Sequence, residues 1–199
     1  SHSFNISTTA AFVLAGGGIP MAKHGNRSVS SKSGSADILE ALGITLTVSP
    51  EKIDYLLKEA GIAFLFAPTL HPAMGAVMHI RKELATPTIF NLLGPLINPY
   101  PLDYQLMGTY AGDSLVETAK TLGQLGRERA IVIHGHGGMD EANLAGTTHC
   151  AVYQNGAVKE FSFDPEEAGF KRVPLAGIVG GSAEKNKDIL LSVLRGIPS

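Results

Sequence analysis

The chain has little cysteine, no long apolar run and no excess of charge of one sign. Cys150 is the only cysteine among 199 residues, which excludes an internal disulfide and favours a reducing, cytoplasmic location. We expect this residue to be a small buried apolar group rather than a nucleophile. No stretch reaches the roughly 20 consecutive apolar residues of a membrane-spanning helix, so no membrane partner is expected. With a net charge of −2 and scattered basic residues, nothing indicates nucleic-acid binding.

The sequence also lacks the motifs that mark several common enzyme classes. It contains no Gly-x-Gly-x-x-Gly and no Walker lysine motif, so hydride transfer and ATP hydrolysis lack their usual marks. No Gly-x-Ser-x-Gly nucleophile elbow is present. The spacing of His134, His136 and His149 with Cys150 fits no standard zinc finger, so a structural zinc site is not expected.

One segment, residues 23–37 (KHGNRSVSSKSGSAD), concentrates three cations, five serines and two glycines. Backbone N–H groups, hydroxyls and cations of this kind hold phosphate or pyrophosphate in loops. The apolar pattern from Ile38 to Leu42 predicts a helix directly after the loop, and a helix N-terminus also favours an anion. Composition alone leaves a flexible Ser/Gly linker as the alternative.

Helix and strand patterns alternate along most of the chain. This alternation predicts an α/β fold with a mostly parallel central sheet flanked by helices and one antiparallel hairpin. We predict a helix over residues 10–14, capped by Ser7 or Thr8, and a helix that His71-Pro72 opens. The other predicted helices span residues 38–43, 50–60, 113–125 and 182–196, and the predicted strands span 62–67, 88–92, 104–110 and 130–133. Asn155-Gly156 is predicted to be the hairpin turn.

Asp140 and Glu141 are adjacent carboxylates in a glycine-rich loop that follows the predicted strand 130–133. Carboxylate oxygens together with ligand phosphates are how proteins usually hold Mg²⁺. A solvated acidic turn or a helix cap is the alternative interpretation. The phosphate loop predicted elsewhere in the chain favours the metal, because the metal needs such a partner.

Arg81 borders the apolar stripe of the helix predicted to begin at His71. An arginine at such a position covers apolar neighbours with its stem, or it directs its planar guanidinium at a substrate carboxylate. The pattern alone does not choose between these two roles.

Taken together, these segments resemble the anthranilate phosphoribosyltransferase family. The matching stretches keep the family's order and spacing over nearly the whole chain: residues 5–8, 23–37, 71–74, 91–99 and 134–141. The resemblance implies the catalytic-domain fold of nucleoside phosphorylases and phosphoribosyltransferases. It also implies a glycosyltransferase of tryptophan biosynthesis that uses Mg²⁺. Such an enzyme transfers the phosphoribosyl group of phosphoribosyl pyrophosphate (PRPP) to anthranilate, giving N-(5-phosphoribosyl)anthranilate and pyrophosphate.

The resemblance further implies roles for individual residues. Those that would hold the ribose and pyrophosphate of PRPP are Asn5, Ser7, Thr8, Lys23 and Ser35. Those that would line the anthranilate path are His24, Asn26, His71, Arg81, Gly94 and Pro95, which for Arg81 favours carboxylate recognition. One magnesium ion would contact Ser7, and another would contact Asp140 and Glu141. We assign no general base, because the anthranilate amine needs positioning more than early deprotonation.

Two parts of the family pattern are not found in residues 1–199, namely an N-terminal helical domain and a Gly-Thr-Gly-Gly-Asp loop that cradles pyrophosphate. We therefore expect a single α/β catalytic domain over residues 1–199 that is weak or inactive by itself. The family's homodimer is not expected without those helices. The alternatives are a pyrimidine nucleoside phosphorylase-like enzyme, whose own signature segments we do not find, and a non-catalytic binding paralogue of the same fold.

Overall fold

The structure is a computed structural model that describes residues 3–28, 32–72 and 89–197. The chain divides into two compact units. The central unit is Tyr100–Ile178, and the terminal unit combines His2–Pro99 with Val179–Ser199. The expected single domain over residues 1–199 stays a prediction.

The helices and strands of the described residues are as follows. The helices are α1 (Ile6–Gly16), α2 (Ser35–Ala41), α3 (Pro50–Glu59), α4 (Ala67–Leu70), α5 (Ile89–Leu96), α6 (Leu115–Gln124) and α7 (Ala183–Leu194). The strands are β1 (Met21–Gly25), β2 (Ile62–Phe66), β3 (Tyr104–Gly108), β4 (Arg129–His134), β5 (Thr148–Gln154) and β6 (Ala157–Phe163). Short 3₁₀ segments lie at Gly112–Ser114, Pro165–Ala168 and Leu175–Ile178.

In the terminal unit, β1 and β2 form a parallel pair in which Lys23 lies opposite Phe64 and Gly25 opposite Phe66. Parallel neighbours need a crossover connection, and α2 and α3 lie in the chain between these two strands. A buried apolar cluster joins α2 to the strands; its members are Ala36, Leu39 and Leu46, with Phe12, Leu42, Phe64 and Phe66 packed against it. This packing holds the start of α2 near the carboxyl end of β1.

Helices α2, α3, α6 and α7 are confirmed to within three residues of the predicted ends, but the start of α1 is not. The helix begins at Ile6, and Asn5 is its N-cap, in place of the predicted Ser7 or Thr8. The carbonyl of Asn5 already accepts a hydrogen bond from the backbone N–H of Thr9 at 3.0 Å, so the helix starts earlier than its apolar pattern. Thr8 is 1% exposed and uses its hydroxyl in a tertiary contact.

The strand predicted for residues 88–92 is wrong, because the chain forms α5 from Ile89 to Leu96. A short continuous apolar run has no period that separates a buried strand from a buried helix. The residues Lys23 to Gly25 were predicted to lie in a loop but belong to β1, since backbone pairing with β2 overrides their polar character. Most of the helix predicted to begin at His71 lies outside the described residues.

In the central unit, β3 pairs parallel to β4, and β4, β5 and β6 pair antiparallel. Helix α6 supplies the crossover from β3 to β4 and packs on one face of the sheet, where Ala119 and Leu122 are fully buried. Asn155 and Gly156, with φ of 52° and 78°, form the predicted hairpin turn. Cys150 is 2% exposed and burial raises its pKa, which confirms the expected buried thiol.

The α/β class, with helices flanking sheet strands and one antiparallel hairpin, is therefore confirmed. The described strands are divided between a two-stranded parallel sheet and a four-stranded mixed sheet, whereas a single central sheet was expected. Strand pairing joins residues far apart in the chain, so local patterns do not encode it. None of the helices in the described ranges has the length and apolar character that crossing a bilayer requires.

Candidate functional site

Four of the five residues expected to bind PRPP lie at the starts of two helices. Ser7 and Thr8 are in the first turn of α1, directly after Asn5, and Ser35 is the first residue of α2. The Thr8 hydroxyl donates a hydrogen bond to Oγ of Ser35 at 3.1 Å. The side chain of Ser7 is exposed. The first N–H groups of α1 have no partner within the helix, so this end favours an anion.

Lys23 lies on β1, on the same face as Gly25. A Cβ on Gly25 would lie 3.2 Å from Cβ of Ser35, so this face of β1 borders the start of α2. Nζ of Lys23 donates to the carbonyl of His24 at 3.3 Å, and burial lowers the Lys23 pKa. Within the described residues no carboxylate pairs with this ammonium group. A partly buried cation without a counter-ion favours a bound anion.

Asn5 is held by a residue that the sequence patterns did not identify. Nδ2 of Asn186 on α7 donates to Oδ1 of Asn5 at 3.4 Å, and Oδ1 of Asn186 accepts from the N–H of Gly181 at 2.8 Å. Asn186 is 2% exposed and lies one helical turn before the buried Leu190. A polar residue on the apolar stripe of a predicted helix was the available signal.

Three of the residues expected on the anthranilate path lie together. The rings of His24 and His71 are edge-to-face with centroids 5.3 Å apart, and His24 forms a hydrogen bond with the backbone of Gly94. Burial and the neighbouring His71 lower the pKa of His24 to about 4. The Nε2 atoms of both histidines are buried, and neither has a hydrogen-bond partner in the described part of the chain. Because His24 is uncharged at neutral pH, its buried Nε2 is available to accept a hydrogen bond from a ligand amine.

The other expected anthranilate residues have more varied placements. The side-chain oxygen of Asn26 accepts from the N–H of Arg27 at 2.7 Å, and the Asn26 carbonyl accepts from Ala36 at 3.3 Å. Pro95 follows Gly94 within α5. Arg81 lies outside the described residues, so its role stays a prediction.

The three cations of the run 23–37 have different surroundings. Arg27 forms ion pairs with Asp37 and Glu40, and its guanidinium carbon lies 5.7 Å from the ring centroid of Phe66. Lys23 belongs to β1, and residues 29–31 lie outside the described part of the chain. Arg27 is thus paired with two nearby carboxylates, and a phosphate-binding role for the cations of this run stays a prediction.

The carboxylate pair Asp140 and Glu141 lies in the loop after β4. Gly135 and Met139 exchange backbone hydrogen bonds of 2.8 and 3.3 Å across this loop. A Cβ on Gly108 would lie 1.6 Å from the carbonyl oxygen of Asp140, so the Asp140 backbone rests directly on the end of β3. The Asp140 side chain is exposed, and its backbone is held while its carboxylate faces solvent.

The backbone of Glu141 is held equally closely. A Cβ on Gly135 would lie 1.9 Å from the Glu141 carbonyl oxygen. The side chain of Asn143, which is 8% exposed, donates to the carbonyl of His136 at 3.0 Å and to that of Glu141 at 3.4 Å. Sequence patterns missed Asn143, since an asparagine in a loop carries no distinctive signal. The described residues contain no group of three or more His, Cys, Asp or Glu side chains that could hold a metal, so the pair needs ligand oxygens to complete a cation site.

A family model described as "Glycosyl transferase family, a/b domain" matches residues 1–199. The chain belongs to this glycosyl transferase family. It is 60% identical over 198 residues to the anthranilate phosphoribosyltransferase of Listeria welshimeri, covering 100% of this chain and 58% of that protein. It is 58% identical over 196 residues to the enzyme of the same name from Exiguobacterium sibiricum, covering 98% of this chain and 58% of the relative.

Solved structures agree with these relatives. Anthranilate phosphoribosyltransferase from Thermus thermophilus superposes with a TM-score of 0.86 at 42% identity, covering 99% of this chain and 58% of that one. The Saccharomyces cerevisiae enzyme in complex with PRPP and Mg has a TM-score of 0.86 at 31% identity, covering 97% and 53%. The resemblance drawn from the sequence is confirmed, and the chain spans about 58% of the length of the curated relatives it matches.

Proposed function

We propose that the chain is the catalytic α/β part of an anthranilate phosphoribosyltransferase. The observation that carries this proposal is the arrangement at the carboxyl end of β1. Lys23 lies there on the face that borders Ser35, and the next residue, His24, contacts His71 and Gly94. Adjacent residues of a strand point to opposite faces. Lys23 and His24 therefore lie on opposite faces at the end of β1. We assign the cationic Lys23 to PRPP and the uncharged His24 to the aromatic ring of anthranilate.

The proposed reaction makes different demands on these two groups. PRPP is densely anionic, so Lys23 and the first N–H groups of α1 offset its charge and stabilise the departing pyrophosphate. The anthranilate amine must lie in line with the ribose carbon that it attacks. The ring of His24, uncharged at neutral pH because its pKa is lowered to about 4, accepts a hydrogen bond from the amine without adding a charge, and His71 packs beside it. None of the described residues is assigned as a general base.

The donor set fits Mg²⁺. For one magnesium ion, Asp140 and Glu141 supply hard carboxylate oxygens on a backbone held by Gly108 and Gly135. For the other, Ser7 supplies an exposed hydroxyl. Mg²⁺ retains waters and completes its shell with ligand phosphates. When bound, it neutralises charge that develops on pyrophosphate. We keep the cytoplasm as the expected location on the strength of the lone Cys150.

Calorimetric titration of the 199-residue chain with PRPP, with and without Mg²⁺, tests the proposal. We expect Mg²⁺-dependent binding that Asp140→Asn weakens by about tenfold or more, since one charged ligand of the metal is lost. Glu160→Gln, an exposed acid on β6, is the matched control and should leave binding unchanged.

Two other outcomes point to the alternatives. Metal-independent binding that ignores Asp140→Asn would overturn the magnesium site. Phosphorolysis of thymidine in place of PRPP cleavage would favour the nucleoside phosphorylase. A salt-dependent shift of DNA mobility would favour the non-catalytic paralogue.

A further inference from the structure

One carboxylate oxygen of Asp37 accepts hydrogen bonds from both ends of the segment that connects β1 to α2. Oδ2 of Asp37 accepts hydrogen bonds from the backbone N–H of Ser28 at 3.1 Å and of Gly34 at 2.7 Å. Asp37 is the third residue of α2 and Gly34 is its N-cap, so the second bond is half of a capping box. The bond from Ser28 goes beyond capping, because it ties the chain that leaves β1 to the helix.

The two ends of this loop are in direct contact. A Cβ on Gly34 would lie 2.4 Å from the backbone nitrogen of Ser28 and 2.7 Å from the carbonyl carbon of Arg27. Glycine is needed here for space rather than for an unusual backbone angle, since its φ is −94°. Asn26 lies beside the first turn of α2, where its carbonyl accepts from the N–H of Ala36 at 3.3 Å.

The ion pairs around Asp37 contribute less to holding this segment than its hydrogen bonds to the backbone do. Its Oδ1 lies 3.4 Å from Arg27, whose side chain is 48% exposed. Arg27 also pairs with Glu40, whose side chain is 45% exposed. Exposed ion pairs contribute little because water and salt screen them. The carboxylate of Asp37 is itself 24% exposed, so its two bonds to backbone N–H groups are the stronger restraint.

We propose that Asp37 is a positioning residue of the site. It closes the loop and so holds Asn26, expected on the anthranilate path, next to Ser35, expected to bind PRPP. This inference rests on the proposed function and assigns a role to a residue that touches neither substrate. Because Ser28 and Gly34 are already joined through Asp37, a ligand need not spend binding free energy on ordering these two positions. Loss of the closure therefore weakens PRPP binding even though every contact residue is still present.

Three variants of the 199-residue chain separate the closure from the ion pair. In calorimetry with Mg²⁺, Asp37→Ala removes the acceptor and should weaken PRPP binding about tenfold. Asp37→Asn keeps an oxygen that accepts both N–H groups, so binding should stay within about threefold. Glu40→Gln removes a partner of Arg27 but touches neither backbone bond, and it should bind PRPP like the wild type.

Amide hydrogen exchange at Ser28 and Gly34 provides a readout that does not need a ligand. Asp37→Ala should accelerate exchange at both amides, and Glu40→Gln at neither. If Asp37→Ala does not fold, Gly34→Ala replaces it, because the added Cβ forces the loop ends apart while the carboxylate is kept. Wild-type affinity in Asp37→Ala, or equal losses in Asp37→Ala and Glu40→Gln, would overturn the proposal.

The two proposals fail in different ways. A wild-type chain that does not bind PRPP refutes the proposed function, and the ligand part of this inference falls with it. The exchange rates then still decide whether Asp37 closes the loop. PRPP binding that survives loss of amide protection refutes the positioning role alone.

Discussion

His24 shows how the position of a residue changes its chemistry. Burial removes the water that would stabilise a positive charge on its ring, and His71 and the strand neighbour Lys23 both disfavour that charge as well. The pKa of His24 consequently falls to about 4. At neutral pH the ring is uncharged, which suits a group that lies beside an aromatic substrate rather than beside a phosphate.

This shift predicts a pH-dependent stability. An unfolded histidine has a pKa of about 6.5, so the unfolded chain binds more protons than the folded chain between that value and the folded pKa of about 4. The contribution of His24 to stability is therefore complete above a pH of about 6.5 and is lost as the pH falls towards about 4. Urea unfolding of the wild type and of His24→Gln from about pH 7.5 to about pH 4.5 should show a smaller decline in the variant.

The control for this measurement is His149→Gln, since His149 is exposed on β5. The unfolding free energy of His149→Gln should decline, as the pH falls, in the same way as that of the wild type. Parallel curves for the wild type and His24→Gln would refute the assignment of the decline to His24.

At the scale of elements, α6 and the sheet are in close contact at Gly123. A Cβ on Gly123 would lie 2.2 Å from Cζ of Tyr153 on β5. The absence of a side chain thus lets the aromatic ring pack against the helix backbone. Close contact of this kind joins the crossover helix to the hairpin of the same unit.

This contact predicts a non-additive pair of substitutions. Gly123→Ala should lower the free energy of unfolding by about 1–3 kcal/mol, because the ring must leave its position. Combined with Tyr153→Ala, the same change should cost less than it does alone, since the clash has been removed. Denaturant unfolding of both single variants and the double variant measures this coupling.

The matched control is Gly16→Ala on α1, where a Cβ meets nothing within 4 Å. That change should be neutral or slightly stabilising, because alanine favours helix over glycine. Strict additivity of Gly123→Ala and Tyr153→Ala would mean that the two residues do not share one packing contact.

At the scale of the whole molecule, the chain matches its relatives over their α/β part. It covers 58% of the Listeria welshimeri protein, and residues 1–199 do not include the Gly-Thr-Gly-Gly-Asp loop that the resemblance assigns to pyrophosphate. Substrate binding and turnover therefore make separate demands. Under the proposed function, PRPP binding would use the groups at the end of β1, whereas turnover would also require every group that stabilises the leaving pyrophosphate.

We therefore predict PRPP binding with little turnover. Formation of phosphoribosylanthranilate from PRPP and anthranilate, followed with Mg²⁺ at saturating substrates, should be well below that of the Listeria welshimeri relative assayed alongside. Equal turnover numbers for the two proteins would show that residues 1–199 are sufficient for catalysis.

Local signals predicted much of this protein from its sequence. The Ser49-Pro50 start of α3, the apolar strand β2 and the Asn155-Gly156 turn depend on interactions within a few residues, so pattern and composition suffice. The motifs also identified the family, because they keep their order and spacing. Residue roles implied by the resemblance stay predictions, although several of those residues lie together in the terminal unit.

The sequence by itself determined the α/β class, most helix and strand types and the residues worth testing. Only the tertiary structure decided that Arg27 serves an ion pair, that residues 89–96 are helical, and that Thr8 meets Ser35 across 27 residues. The physical reason is the distance along the chain over which each interaction acts. Propensity and capping act between near neighbours, whereas these contacts depend on how strands pair and helices pack, which no local pattern records.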